Sequence, residues 1–206
     1  MLGRAIFACL ISIGHWHGAI AREKVAVVLP PVSAGATPLG EARPILAWSE
    51  FCKSHAAECA VDVKEPARMT LSPSVWQTAV AVNRRVNGRL RPQTDQDHWS
   101  VPDRWDLAED GAGDAEDFQL LKRRLLAEAG LPRRAMRMTA VIDETGSGHA
   151  VLTLITDRGD YVLDNKTSAV MAWHRTGYVF IKRESQDAVA WVSLGGVTSP
   201  TTTANR

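Results

Sequence analysis

Two periodicities divide this chain. Up to about residue 130 apolar side chains recur every three or four positions, and beyond about residue 135 they alternate, as expected for helix and then strand. The clearest helix runs from about Ala115 to Ala129, with Phe118, Leu121, Leu125, Leu126 and Ala129 along one stripe. Lys122, Arg123, Arg124 and Glu128 fall on the side assigned to solvent, Gly130 fits the position after the C-cap, and Pro132 blocks continuation. Residues 72–90 predict a second helix, with Ser72 as N-cap, Pro73 in the first turn, and Val75, Trp76, Ala79, Val80, Val82, Val86 and Leu90 on its apolar face. A third helical segment covers Pro44 to Cys59. Strands are expected at 136–143, 148–156, 160–165, 177–183 and 189–194, separated by the turn sequences DETGSG and TDRGD. Helices followed by an antiparallel sheet make an α+β domain over residues 46–194. Before it, residues 22–45 are rich in Pro, Gly and Ala and read as an extended lead-in. Residues 91–113 read as a long ordered loop and 195–206 as a flexible tail.

Composition removes alternatives more than it adds any. With 206 residues, 45% hydrophobic and 23% charged, the chain suits one globular domain. Lys plus Arg number 24 against 23 Asp plus Glu, so the basic surplus of a nucleic-acid binder is missing. No apolar run approaches the roughly 20 residues that span a bilayer. The N-terminus has the layout of a signal peptide over residues 1–21: Arg4, the apolar stretch AIFACLISIG, then the small-x-small site Ala19-Ile20-Ala21. A periplasmic or secreted location follows as an expectation, with an uncleaved anchor as the alternative. Cys9 would leave with the signal, and Cys52 and Cys59 would remain. Seven residues of unbroken helix rise about 10.5 Å, beyond the roughly 7 Å Cα limit of a disulfide. A bridge therefore needs the helix to stop around Ser54–Ala57; two buried thiols are the alternative, and export with an even cysteine count favours the bridge.

Candidate chemistry gathers in GAGDAEDF at 111–118, GHAVLTL at 148–154 and DYVLDN at 160–165. His149 at a strand entrance and Asp164 in an apolar strand suit the base and orienter of a nucleophilic triad. The nucleophile belongs at the start of the facing helix, where free N–H groups and the helix dipole lower a thiol's pKa. Ala115 stands there and can do none of this. A tight Arg158-Gly159 turn would pair Thr153 with Asp164 and leave His149 four residues away, about 13 Å at strand rise. Convergence is thus expected to need a wider loop or a bulge near Gly159.

The block from Trp48 to Leu194, through FCKSHAAEC, GDAEDFQLLKRRLLAEAGLP, GHAVLTLITDRGDYVLDN, GYVFIKRESQ and WVSL, resembles the bacterial transglutaminase-like cysteine peptidases, the family of LapG-type periplasmic proteases that cut surface adhesins. The resemblance implies a papain/transglutaminase-like fold, N-terminal helices on an antiparallel sheet, and a Cys–His–Asp triad. His149 and Asp164 match its second and third members. Ala115 matches the first, since the family's GDCED reads GDAED here. It also implies a polypeptide substrate or partner, and calcium held by the acids flanking the nucleophile, here Asp114 and Glu116. Two carboxylates fall short of the roughly six to eight ligands of Ca²⁺, so carbonyls and waters, with Asp117, are expected to complete the shell. Read from the residues alone, the same acids are helix-capping carboxylates.

Three functions stay open at this stage. The chain is a catalytically dead relative that binds polypeptide under calcium control, an active peptidase whose nucleophile has been replaced, or a structural module without a cleft. Trp76 and Trp191 are expected in the core, and His55, His98 and His174 in solvent without zinc-ligand spacing.

Overall fold

A computed structural model describes residues 27–198. Both the stretch 1–21, expected to be a signal peptide, and residues 199–206 lie outside the described residues. The elements in chain order are β1 (Glu41–Ala42), α1 (Leu46–Ser54), α2 (Ala56–Cys59), α3 (Pro73–Arg89), β2 (Arg91–Pro92), α4 (Asp95–Trp99), β3 (Ala112–Gly113), α5 (Ala115–Glu128), β4 (Met136–Ile142), β5 (Gly148–Thr156), β6 (Gly159–Leu163), β7 (Met171–Ala172), β8 (Val179–Glu184) and β9 (Trp191–Thr198). Among the described residues, seven strands form one antiparallel sheet in the order β1-β9-β8-β4-β5-β6-β7, and β2 and β3 make a short parallel pair. Helices precede the sheet and pack on it, an α+β arrangement.

α3 starts where its sequence says it should: the Ser72 hydroxyl accepts the Val75 N–H at 3.2 Å, and Pro73 occupies the first turn. α1 ends at Ser54 and α2 begins at Ala56, so the chain folds back and Cys52 and Cys59 approach to 5.6 Å between Cα atoms and form a disulfide. Within the expected long loop 91–113 there is more structure than its polarity suggested. Thr94 caps α4, and β2 and β3 bracket the segment.

α5 is rotated relative to its sequence pattern. Phe118, Leu121 and Leu125 face α3 through Val82, Val86 and Leu90, whereas Leu120 and Leu126 join the main core beside Met136, Met138, Leu152 and Leu154 of the sheet. The helix is therefore covered on two sides. Lys122 and Arg123, assigned to solvent by the sequence, are fully buried. Arg123 pairs with Glu184 of β8, and the same carboxylate accepts from Trp48 Nε1 at 2.7 Å and from the Met138 N–H at 2.9 Å. Arg123 Nε keeps no partner, but the charge itself is paired, and removing one member of a buried pair is costly.

Two other expectations need correction. The sheet does not end near Leu194: β9 continues to Thr198, and Gly195 and Gly196, at φ of 71° and 67°, lie where the β8–β9 register slips between Phe180 and Lys182. The glycine pair forms a bulge rather than the start of a tail. The β5–β6 hairpin turns on Asp157-Arg158, with Thr156 opposite Gly159 and Leu152 opposite Leu163. That register puts Asp164 across from Val151, two residues from His149 rather than four, and no bulge near Gly159 is needed.

The lead-in at 27–39 carries no regular element but crosses the sheet as a strap. Pro30 O accepts from Arg158 Nε at 2.8 Å, Pro31 O from the Tyr161 hydroxyl at 2.9 Å, and Ala34 O from Trp173 Nε1 at 2.7 Å. The Ala36 N–H donates to Asp160 at 3.0 Å, and the Leu39 N–H to Ser193 O at 2.8 Å. Gly159 sits under this strap at φ 108°, and a Cβ there would run into Ser33. Only glycine fits both the dihedral and the space.

Candidate active site

β5 and β6 bring the two sequence-predicted polar residues together. His149 Nε2 lies 2.9 Å from Asp164 Oδ1, with side chains 6% and 1% exposed. This leaves Nδ1 as the ring nitrogen that Asp164 does not engage. The other carboxylate oxygen, Oδ2, accepts from the Tyr178 hydroxyl at 2.6 Å, and the Lys166 N–H donates to Oδ1 at 3.1 Å. Burial by itself raises the Asp164 pKa, but the hydrogen bonds from His149 and Tyr178 outweigh it and hold the carboxyl below its usual range. Burial and the same carboxylate push the Tyr178 phenol far up, so it stays a donor. The Tyr178 ring also meets the imidazole edge-on at 5.8 Å between centroids. Sequence reasoning missed Tyr178, although it lies in the GYVF string.

His149 opens onto a cleft of about 600 Å³ whose wall includes Ala115, Asp114 and Glu116 from the start of α5, with Ala140, Val141 and Ile142 of β4 and Ile181 of β8. Ile181 is the residue skipped where the β4–β8 register shifts, so the sheet bends at the rim of the cleft. Ala115 is the first residue of α5, next to the helix's unsatisfied N–H groups. His149, Asp164 and Ala115 thus belong to one site. Ser147, in the preceding turn, is tied to Asp143 and Thr145.

The acids around Ala115 divide by what they touch. Asp117 has no exposed surface and accepts the Asp106 N–H at 2.8 Å on Oδ1 and the Asp114 N–H at 3.3 Å on Oδ2, which ties the preceding loop to the helix start. Gly113 is what allows this, since a Cβ there would lie 2.7 Å from Asp117 Cβ. Asp95, at the start of α4, accepts the Arg104 N–H on Oδ2. One oxygen each from Asp95, Asp103 and Glu116 comes within 4.8 Å of the others, as does one each from Asp95, Asp114 and Asp117. The sequence-predicted trio Asp114, Glu116 and Asp117 is therefore split between two sets that share Asp95. Asp95 and Asp103, unnoticed in the polar loop, complete the cluster. Their signal was only a density of acids, which solvated loops also show.

This cluster is electrostatically unbalanced. None of the five carboxylates forms an ion pair with a described Lys or Arg. Burial, then the neighbouring acids, drives the Glu116 pKa up to about 10 and Asp114 to about 6. Asp117 is pushed up to about 8, mainly by burial. Asp95 Oδ1 and Asp114 Oδ1 are buried with no hydrogen-bond partner. Oxygen-only ligands, orphaned acceptors and mutual repulsion fit a hard divalent cation such as Ca²⁺.

The sequence as a whole agrees. The model of the bacterial transglutaminase-like cysteine proteinase (BTLCP) family matches residues 39–199. The chain belongs to this family. Among solved structures the chain is similar to calcium-bound LapG of Legionella pneumophila, at 23% identity and a TM-score of 0.51, over 60% of this chain and 71% of that one. A second structure of Legionella pneumophila LapG aligns at 22% identity and a TM-score of 0.51, over 64% and 74% of the two chains. These likenesses establish the shared fold. No curated protein matches the sequence. A family of cysteine proteinases acts on polypeptides, and among the described residues no helix is long and apolar enough to cross a membrane.

His98, expected to be free in solvent, lies 2.7 Å from Asp110 and stacks on Trp99 at 4.0 Å. His55 stacks on Phe51 at 4.5 Å. Trp191 is buried as expected, whereas Trp76 is only half-buried.

Proposed function

We propose that the chain is a cysteine-peptidase homologue that receives an extended polypeptide in the Ala115–His149 cleft, with Ala115 in the place of the family's nucleophile. The carrying observation is the relay Tyr178–Asp164–His149, which ends in a cleft whose opposite wall is the first turn of α5. With a thiol at position 115, Nδ1 of His149 would take its proton, the thiolate would attack the peptide carbonyl, and the imidazolium would return the proton to the leaving amine. Asp164 would fix the tautomer and stabilise the imidazolium, held in turn by the Tyr178 hydroxyl. A methyl group supports neither proton transfer nor acyl-enzyme formation, so the chain as written binds its polypeptide without cleaving it.

Asp95, Asp103, Asp114 and Glu116 would hold calcium, which supplies positive charge beside the start of α5. The solved relative titled calcium-bound supports this assignment, as do the orphaned oxygens of Asp95 and Asp114. Export of the chain, by removal of residues 1–21 into the periplasm or beyond, is consistent with the disulfide.

The retained relay favours a second reading, an active protease in a form that carries a cysteine in place of Ala115. On this reading the buried carboxylate held by His149, Tyr178 and the Lys166 N–H is kept for its work on the imidazole. One experiment tests the site for both readings. Ala115→Cys, in the chain from residue 22 with its disulfide intact, is alkylated with iodoacetamide at pH 6. An assembled site reacts at least about tenfold faster than the Ala115→Cys, His149→Ala double variant, because an unperturbed thiol is barely ionised there. Equal rates would sink the reading.

A further inference from the structure

The Ala115–His149 cleft is not the end of the depression it lies in. Pro102, Asp103 and Trp105 form one of its walls, and the far side of that wall bounds a second chamber of about 390 Å³ floored by α1. Two features give this chamber a distinct chemistry. Its floor is apolar, built from Ala47 and Phe51, and at its rim the side chain of Leu46 stands 76% exposed in the first turn of α1. A leucine this exposed, beside a phenylalanine floor and a buried tryptophan wall, is apolar surface left open to a partner. The rest of the rim is polar and of mixed charge: Glu50, Asp103 and Asp106 line the same chamber with Ser54, His55 and Arg104, and Glu50 is paired with Lys53.

On the reading that the cleft holds an extended polypeptide, we infer that the α1 chamber is a specificity subsite of the same groove, taking an apolar side chain of that polypeptide. Successive side chains of an extended strand point to opposite sides, and those on one side recur about every 7 Å. One residue can therefore lie over Ala115 while a near neighbour passes Trp105 and drops its side chain between Leu46 and Phe51. The wall itself is held at the site, because Asp95 accepts the Arg104 N–H and Asp117 accepts the Asp106 N–H. The occupant is set by continuity with the cleft, and its chemistry by the apolar floor and the exposed Leu46.

Because the chain as written does not turn over, binding can be measured directly. A positional-scanning decapeptide library, with Leu, Asn or Asp fixed at each position in turn, is incubated with the chain from residue 22 in millimolar Ca²⁺, and the bound fraction is read by mass spectrometry. One position should prefer Leu over both Asn and Asp by about tenfold, as partial burial of one leucine side chain allows. Leu46→Asp, at an exposed site that leaves the core intact, should erase this preference while binding at other positions persists. Ala115→Trp, which fills the cleft, should remove binding altogether. If peptides bind and Ala115→Trp abolishes it, but no position distinguishes Leu from Asn or Leu46→Asp leaves the preference unchanged, the subsite is overturned and the cleft reading survives. If no peptide binds, or Ala115→Trp has no effect, the cleft reading fails and the subsite with it.

Discussion

α5 carries two clusters of buried charge that were solved in opposite ways. In its middle, Arg123 meets Glu184, whose two oxygens also satisfy Trp48 and Met138, so the charges cancel inside a closed network. At its first turn, Asp114, Glu116 and Asp117 meet Asp95 and Asp103 with no basic side chain in ion-pair contact among the described residues. The first arrangement holds the helix to the sheet. The second leaves the helix start, beside Ala115, short of positive charge, which is the basis of the calcium site proposed there. Within one helix, a paired carboxylate marks the anchor to the sheet, even with Arg123 Nε left without a partner, and unpaired carboxylates mark the candidate site.

Each of these descriptions can be broken. The largest effect is expected in the closed network: Arg123→Met strands the Glu184 carboxylate and should cost about 3–5 kcal/mol, read as a drop in the urea midpoint. A change within about 0.5 kcal/mol would show that the pair is not the anchor. In the open cluster, the acids have pKa values raised by folding, so the folded chain binds more protons than the unfolded one between about pH 4 and pH 8. Metal-free stability should therefore fall as pH rises through that window. Calcium at a hundredfold excess over its Kd should restore about 2.7 kcal/mol at neutral pH, and Asp114→Asn should weaken that gain. A metal-free stability that climbs across the same range would contradict the unbalanced cluster.

Smaller effects sharpen the contrast. Reducing Cys52–Cys59 should cost about 2 kcal/mol by the loop-entropy estimate for a short bridge. Because Glu58 lies inside that bridge, and its carbonyl accepts Arg123 Nη2 at 2.9 Å, reduction should disturb the closed network before the open one. Smallest, Tyr178→Phe removes one hydrogen bond to a charged group, about 1.5 kcal/mol, with the Asp164 pKa moving up as its donor is lost. Carbon-13 NMR of the Asp164 carboxyl would show that direction.

The sequence revealed what depends on short-range order. Ser72-Pro73 announces α3, alternating residues announce β4 and β5, and the spacing of Cys52 and Cys59 implies the break after Ser54. His149 and Asp164 were legible as a pair, yet the hairpin register was not, because composition favours a glycine in the turn while the chain turns on Asp157-Arg158 and puts Gly159 in β6 beneath the strap. What stayed hidden depends on which side of an element faces which neighbour. α5 shows one apolar stripe, but its Phe118, Leu121 and Leu125 face α3, while Leu126 joins Leu120 and the buried Arg123 on the side facing the sheet. Asp95, Asp103 and Tyr178 reach the site from elements far apart in the chain, and no local pattern sets them apart from solvated acids or an ordinary strand tyrosine.

The strap at 27–39 has a practical consequence for anyone choosing where to begin a recombinant fragment. A cut at residue 22 retains it. Starting instead at residue 46, where the helical pattern begins, would strip one acceptor each from Arg158, Tyr161 and Trp173, and the Ala36 donor from Asp160. Three of those residues surround the hairpin whose next turn delivers Asp164. Such a shortened product would be expected to keep its helices and yet present a loosened relay, and its poor behaviour would be misread as a fault of the alanine.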